Sequence, residues 1–536
     1  MRVWPSADRA PKAQTPLSLR WTQQLLLFSL FFAGLMLLHA PLLRLPYFWD
    51  EAGYYLPAAR DLYLTGKLIP QTTVSNAHPP LVMAWLAMAW RVGGYSTLVT
   101  RTAMLALAAF FLLGIWRLSR VAANPAVASA TTALTALYPV FFIQSSLAQV
   151  DLAAAGFTFW GLSAYFEDCQ WKQATWFSLA VLAKETAILA PLALLIWEIV
   201  GHGLRPRWRE LFPGSDRRTH ALHLLVPVVP LACWYTYHYA KTGFLLGNPE
   251  YFRYNVAATL DPLRIPLALG LRLWQLFGYM GLYLLTLAGL LAMLRPAQIE
   301  KGVSRPRIAI WIQAAFLSVT LAYLGFMSAV GGAVLARYML PVVPLVILVL
   351  TATLWRRVRF WRVVVGAVAV AFAAGLFTNP PYGFSLEDNL AYHDYVVMHA
   401  EASRFLAMRY PRARVLSAWP ASDELTRPWL GYVSRPFPVV RIEDFTAAQI
   451  KTASAANGHF DVAFVFSTKY QPPHPFLEQW PWWQHIKERF FGYHRDLLPD
   501  EIARRLEGRI VFEKTSDGQW VAIIAIETME DARRLP

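Results

Sequence analysis

Two adjacent carboxylates, Asp50 and Glu51, stand in the run Trp49-Asp50-Glu51-Ala52-Gly53-Tyr54-Tyr55, just past an uncharged stretch. Acids at a helix start can simply cap it, Asp50 through its side chain and Glu51 through the helix dipole. A carboxylate so placed can also act as a base. His78 follows in Asn76-Ala77-His78-Pro79-Pro80-Leu81, where the double proline suits a helix start and fixes the imidazole rigidly. Asp151, Lys184 and the Arg337-Tyr338-Met339-Leu340-Pro341 run then interrupt apolar sequence. Singly, each reads as an interface anchor. Together they supply acids to activate a nucleophile and fixed cations to receive a phosphate. Ionisable groups at membrane depth are costly, which marks these positions for function.

The elements that must hold these residues are apolar. Of 536 residues, 56% are hydrophobic and 15% charged, against about 25% charged in an average soluble chain. That excess is too large for a water-soluble core, and it excludes intrinsic disorder. Aromatic residues at 14%, with 22 Trp, suit a wide perimeter against lipid headgroups. With only Cys169 and Cys233, a disulfide framework or a cysteine metal site is excluded.

Uncharged stretches run from Arg20 to Arg44, Arg120 to Asp151, Arg218 to Lys241, Arg272 to Arg295, Arg307 to Arg337, and Arg337 to Arg356. Another leads from Arg362 toward Phe377, and Thr102 to Trp116 is shorter. Roughly 20 such residues span hydrocarbon as a helix. The first is read as a retained span, since no small-residue cleavage site follows Leu43.

Charge sets the orientation. The first 378 residues carry 31 Lys/Arg against 14 Asp/Glu, and the remainder 18 against 20. Basic residues confined to short loops are the positive-inside pattern, not a nucleic-acid surface. If Leu81 to Trp90 lies at the interface and two short helices meet at Lys184, the basic N-terminus and every basic loop share one side. That arrangement collects 20 of the 31 Lys/Arg. It predicts about 11 transmembrane helices over residues 1–378, with a first outer loop at 44–80. After Asn379-Pro380-Pro381 the runs Arg414 to Ser417, Asp461 to Phe466 and Arg509 to Phe512 read as strands. Thr515-Ser516-Asp517-Gly518 joins the last of these to a further strand ending at Ile526. Residues 379–536 therefore read as a soluble, extracytoplasmic α/β domain.

The Asp-Glu after the first span, the His-Pro-Pro-Leu, Asp151, the Lys-Glu-Thr at Lys184 and the Arg-Tyr-x-x-Pro at Arg337 resemble the GT-C membrane glycosyltransferases. Within these, the likeness is to the branch of protein mannosyltransferases and bacterial aminoarabinose transferases (glycosyltransferase family 39-like), and it covers residues 20–378. The resemblance implies a polyprenyl-phosphate sugar donor, with inverting transfer to a lipid, glycan or protein hydroxyl at the outer face of a bacterial inner membrane. It makes Asp50 the catalytic base, with Asp151 and Glu51 beside it, and places Lys184, Arg337, Tyr338 and His78 around the donor phosphate. At His78 the aminoarabinose transferases often carry Lys. A monophosphate leaving group needs no metal, although the adjacent acids could hold a divalent ion. The rival class is a polytopic lipid or sugar transporter. It would show repeats and mid-membrane helix breaks, whereas here no repeat is visible and the charges gather at one face.

Overall fold

The computed structural model describes residues 21–203, 217–455, 459–472 and 479–526. The basic N-terminus and residues 204–216 of the Arg205–Arg218 loop lie outside the described residues. The chain is mainly helical, and four helices are long and apolar enough to cross a membrane: Trp21–Leu38, Thr97–Ala122, Arg264–Met293 and Ile310–Ala329. At 1.5 Å per residue, the 26 residues of Thr97–Ala122 extend about 39 Å.

Local sequence explains several boundaries. Ser96 accepts a hydrogen bond from Val99 N and starts the Thr97–Ala122 helix. Asn124 caps Pro125–Leu137 through Val127 N, with Pro125 at the first position, where its missing N–H costs nothing. The third long helix is bent, because Met280 and Gly281 adopt left-handed conformations (φ 49° and 85°) between Arg264–Phe277 and Leu282–Met293. This helix begins eight residues before Arg272, the residue expected to bound the span, and buries Arg272 instead.

Antiparallel packing brings the charged positions to one end of the bundle. Asp151 opens the Asp151–Phe166 helix, and Lys184 follows the end of the next helix, Gln170–Ala183. These two helices pack against each other, and Asp151–Phe166 also packs against Thr97–Ala122. Their approach is close: a Cβ added at Gly161 would stand 2.6 Å from the Phe177 ring. Leu81–Gly93, the segment expected at the interface, is a 13-residue helix packed on Leu56–Thr65.

Beyond the Trp361–Phe377 helix the chain forms a five-stranded sheet. Its spatial order is Val439–Ile442, Val415–Ala418, Val462–Phe466, Gln519–Ile526, Gly508–Ser516. The first three strands are parallel, and the last two form an antiparallel hairpin. Asp517 and Gly518, both at positive φ, make its two-residue turn. Val439–Ile442 lies at the edge and was not foreseen; its half-buried residues give no alternating pattern. One apolar core joins this unit to the membrane half. Tyr47, Phe48, Ala52 and Leu56 pack in the same cluster as Tyr392, Tyr395, Leu416 and Phe464.

Candidate active site

Asp50 immediately precedes the helical turn Glu51–Tyr55, yet its side chain makes no capping bond there. Its Oδ2 instead accepts from Arg337 Nη2 at 2.5 Å. Arg337 is almost fully buried, in a short turn between Ile310–Ala329 and Val343–Arg357. Its Nη1 bonds Glu387 Oε1, and its Nε lies 3.3 Å from Asp151 Oδ2. One guanidinium thus holds three carboxylates drawn from widely separated segments. Such a planar fork presents its donors in a fixed, bidentate geometry, which an ammonium does not.

Asp151 turns its other oxygen to Lys184 Nζ at 2.6 Å. That ammonium lies 4.0 Å from the centre of the Tyr338 ring. Arg337 and Arg272 face the same ring at 5.4 and 5.6 Å. Tyr338 therefore sits among three cations, an arrangement its π face stabilises.

Arg272 differs from the other two cations. It is fully buried, and its hydrogen bonds go only to neutral groups: Gln275 Oε1 at 2.8 Å, Leu335 O at 2.7 Å and Met327 O at 3.3 Å. Its second terminal nitrogen has no hydrogen-bond partner among the described residues. A buried guanidinium with a spare donor and no carboxylate is a ready receptor for an anion.

The remaining expected residues fall around this cluster. His78 Nδ1 meets Glu185 Oε2 at 2.8 Å, and its ring stacks on Tyr55 at 5.9 Å. Glu51 faces elsewhere: fully buried, it takes a two-pronged bond from Arg101 at 2.6 Å on each oxygen. It also accepts from Phe48 N at 2.8 Å and Ala148 N at 2.7 Å. Glu51 thereby ties the first loop to the segment that leads into Asp151. Asp50 and Glu51 thus serve different arginines. Among the described residues no group of three or more His, Cys, Asp or Glu is arranged to hold a metal ion.

Two participants, Arg272 and Glu387, were not singled out from the sequence. Glu387-Asp388 is an acid pair just past the last apolar helix, the mirror of Asp50-Glu51 just past the first, and that symmetry was the available signal. Gln149 Nε2 holds Glu387 Oε2 at 2.8 Å, while Asp388 accepts from Tyr279 Oη at 2.6 Å. Burial raises the Glu387 carboxyl above its ordinary range. Burial, then the neighbouring Glu387, pushes Asp388 up to about 8. Apart from this cluster, the Val228–Thr242 helix presents an open, apolar face that includes Val229, Cys233, Thr236 and Tyr237. Trp234 on the same helix donates to Ala77 O at 2.8 Å, beside His78.

The whole architecture has solved counterparts. The crystal structure of ArnT from Cupriavidus metallidurans bound to undecaprenyl phosphate is similar over 95% of this chain and 99% of that one, with TM-score 0.51 and 14% identity. Its apo state gives TM-score 0.50 and 15% identity over 96% and 99%. The chain has the GT-C fold. No family model and no curated protein matches the sequence. Within the GT-C fold, the charged cluster is formed where the helix ends meet the first loop and the C-terminal sheet unit.

Proposed function

We propose that this protein is an inverting glycosyltransferase that moves a sugar from a polyprenyl-phosphate donor to an acceptor hydroxyl. The observation that carries this reading is the junction of opposite roles at one helix end. Asp50, Asp151 and Glu387 are gathered on Arg337, and beside them Arg272 is a cation bonded only to neutral groups.

In this reading Asp50, whose side chain is 22% exposed where its partners are buried, takes the proton of the acceptor hydroxyl. The oxygen attacks the anomeric carbon, the bond from that carbon to the phosphate oxygen breaks, and the sugar centre inverts. The polyprenyl monophosphate leaves with the bonding electrons. Arg272, with the remaining donors of Lys184, receives its charge. Arg337 organises the three acids and keeps Asp50 aimed. Preorganised cations of this kind are worth several kcal/mol at a developing anion. The ArnT structure with undecaprenyl phosphate supports the donor class, and the open apolar face along Val229 to Tyr237 is compatible with an isoprenoid chain.

The short basic loops support placement in a bacterial inner membrane, with about eleven spans and residues 379–536 outside. The test is incubation of the purified protein with a polyprenyl-phosphate sugar, following release of free polyprenyl phosphate and transfer of the sugar. Movement of the intact donor across sealed vesicles without its cleavage would establish a transporter instead.

A further inference from the structure

The surroundings of Asp50 are almost closed. Phe48, Glu51, Ala52, Gly53 and Tyr55 are buried, as are Val415 to Ala418 and Pro420 to Leu425 across from them. In the middle of these two stretches Trp49, Asp50, Tyr54 and Trp419 keep partial exposure. Asp50, the candidate base, shares these stretches with three partly exposed aromatic side chains.

Their geometry is deliberately tight. Trp419 reaches over from the C-terminal sheet unit, with its ring 5.2 Å from Trp49 and 6.2 Å from Tyr54. A Cβ at Gly53 would stand 3.0 Å from Trp419 Cζ2, so the glycine permits the approach. Trp49 holds a left-handed backbone at φ 47°, a strained conformation for a bulky residue of the kind that concentrates at ligand sites. Thr73 Oγ1 donates to Gly53 O at 2.8 Å and pins the turn from below.

We infer that Trp49, Tyr54 and Trp419 form a platform for a pyranose ring of the acceptor, which makes the acceptor a carbohydrate. This deepens the proposed function and rests on it. An indole face takes the C–H face of a sugar ring through apolar contact and leaves the hydroxyl edge free to reach Asp50. The donor sugar has the same chemistry, but its position favours the other side. Its phosphate belongs with Arg272, Lys184 and Tyr338, whereas Trp419 comes from the C-terminal unit. Trp419 thus gives that unit a part in acceptor choice.

The experiment is saturation-transfer NMR on the full-length protein in detergent, without donor, using a panel of methyl pyranosides and sugar 1-phosphates at millimolar concentration. Signal from at least one pyranoside is expected with the wild type, reduced at least about fivefold in Trp419→Ala and kept in Trp419→Phe. No signal in the wild type, or equal signal in Trp419→Ala, overturns the inference. So does a Trp419→Ala loss confined to sugar 1-phosphates, which assigns the platform to the donor. If Trp419→Ala lowers the melting temperature, Tyr54→Ala decides: reduced signal supports the platform and unchanged signal overturns it. Binding is read without turnover, so failure of the transfer reaction is seen separately, as absent polyprenyl phosphate release.

Discussion

At the scale of single residues, the structure distributes roles that residue type alone leaves equivalent. Four acids stand in two adjacent pairs, and each pair splits: Asp50 and Glu387 go to Arg337, Glu51 to Arg101 and Asp388 to Tyr279. Asp50→Asn keeps the size and most hydrogen bonding but removes basicity. Turnover is expected to fall about 10²- to 10⁴-fold, with little change in donor binding; near-normal turnover would return the base to Asp151 or Glu387. Arg272→Gln removes the cation that has no carboxylate partner. Inhibition by free polyprenyl phosphate should weaken by roughly 10- to 100-fold, the value of a charged hydrogen bond or two. An unchanged inhibition constant would take the phosphate away from Arg272.

At the scale of elements, the site depends on ties between segments that touch nothing reactive. Glu51 links Phe48, Arg101 and Ala148, and so sets the first loop against the entry to Asp151. Glu51→Gln leaves a buried guanidinium uncompensated, for which a loss of about 3–5 kcal/mol is typical. The melting temperature should drop sharply, and the double variant Glu51→Gln/Arg101→Gln should recover part of it. Additive losses would show that the pair contributes little. Asp388, in the turn after Trp361–Phe377, has a pH signature. Its folded carboxyl titrates at about 8, above the unfolded value of about 3.9. Between those values the folded chain holds a proton that the unfolded chain lacks, so this contribution is full at low pH and is lost as pH rises through 8. Asp388→Asn should flatten the fall in melting temperature between about pH 5 and about pH 8; an unaltered slope would contradict the assignment.

At the scale of the whole molecule, the two halves share one apolar core, and the C-terminal half supplies Glu387 to Arg337 and Trp419 to the ring of Trp49, next to Asp50. The membrane half and the sheet unit are therefore expected to act as one machine on one side of the membrane. A reporter fused after Arg120 should read cytoplasmic, and one fused after Asn389 extracytoplasmic. A cytoplasmic signal after Asn389 would remove the outer-face assignment and the site with it.

The long apolar runs and the hairpin at Asp517-Gly518 were legible in the sequence because hydropathy and turn chemistry act over neighbouring residues. The same local logic marked Asp50, Asp151, Lys184 and Arg337 as charges out of place in apolar surroundings. Pairing was not legible. Whether Asp50 capped its own helix or met Arg337, 287 residues away, depends on how helices pack, and no local pattern carries that. Arg272 looked like the edge of a span because a charge normally ends one; only the buried surroundings of Tyr338, Gln275 and Leu335 gave it a place inside. Glu51 looked catalytic beside Asp50 until Arg101 claimed both its oxygens. The sequence by itself determined which charges must be satisfied in an apolar protein, and the tertiary structure alone decided which satisfies which, because desolvated ions bind whatever partner the packing brings within reach.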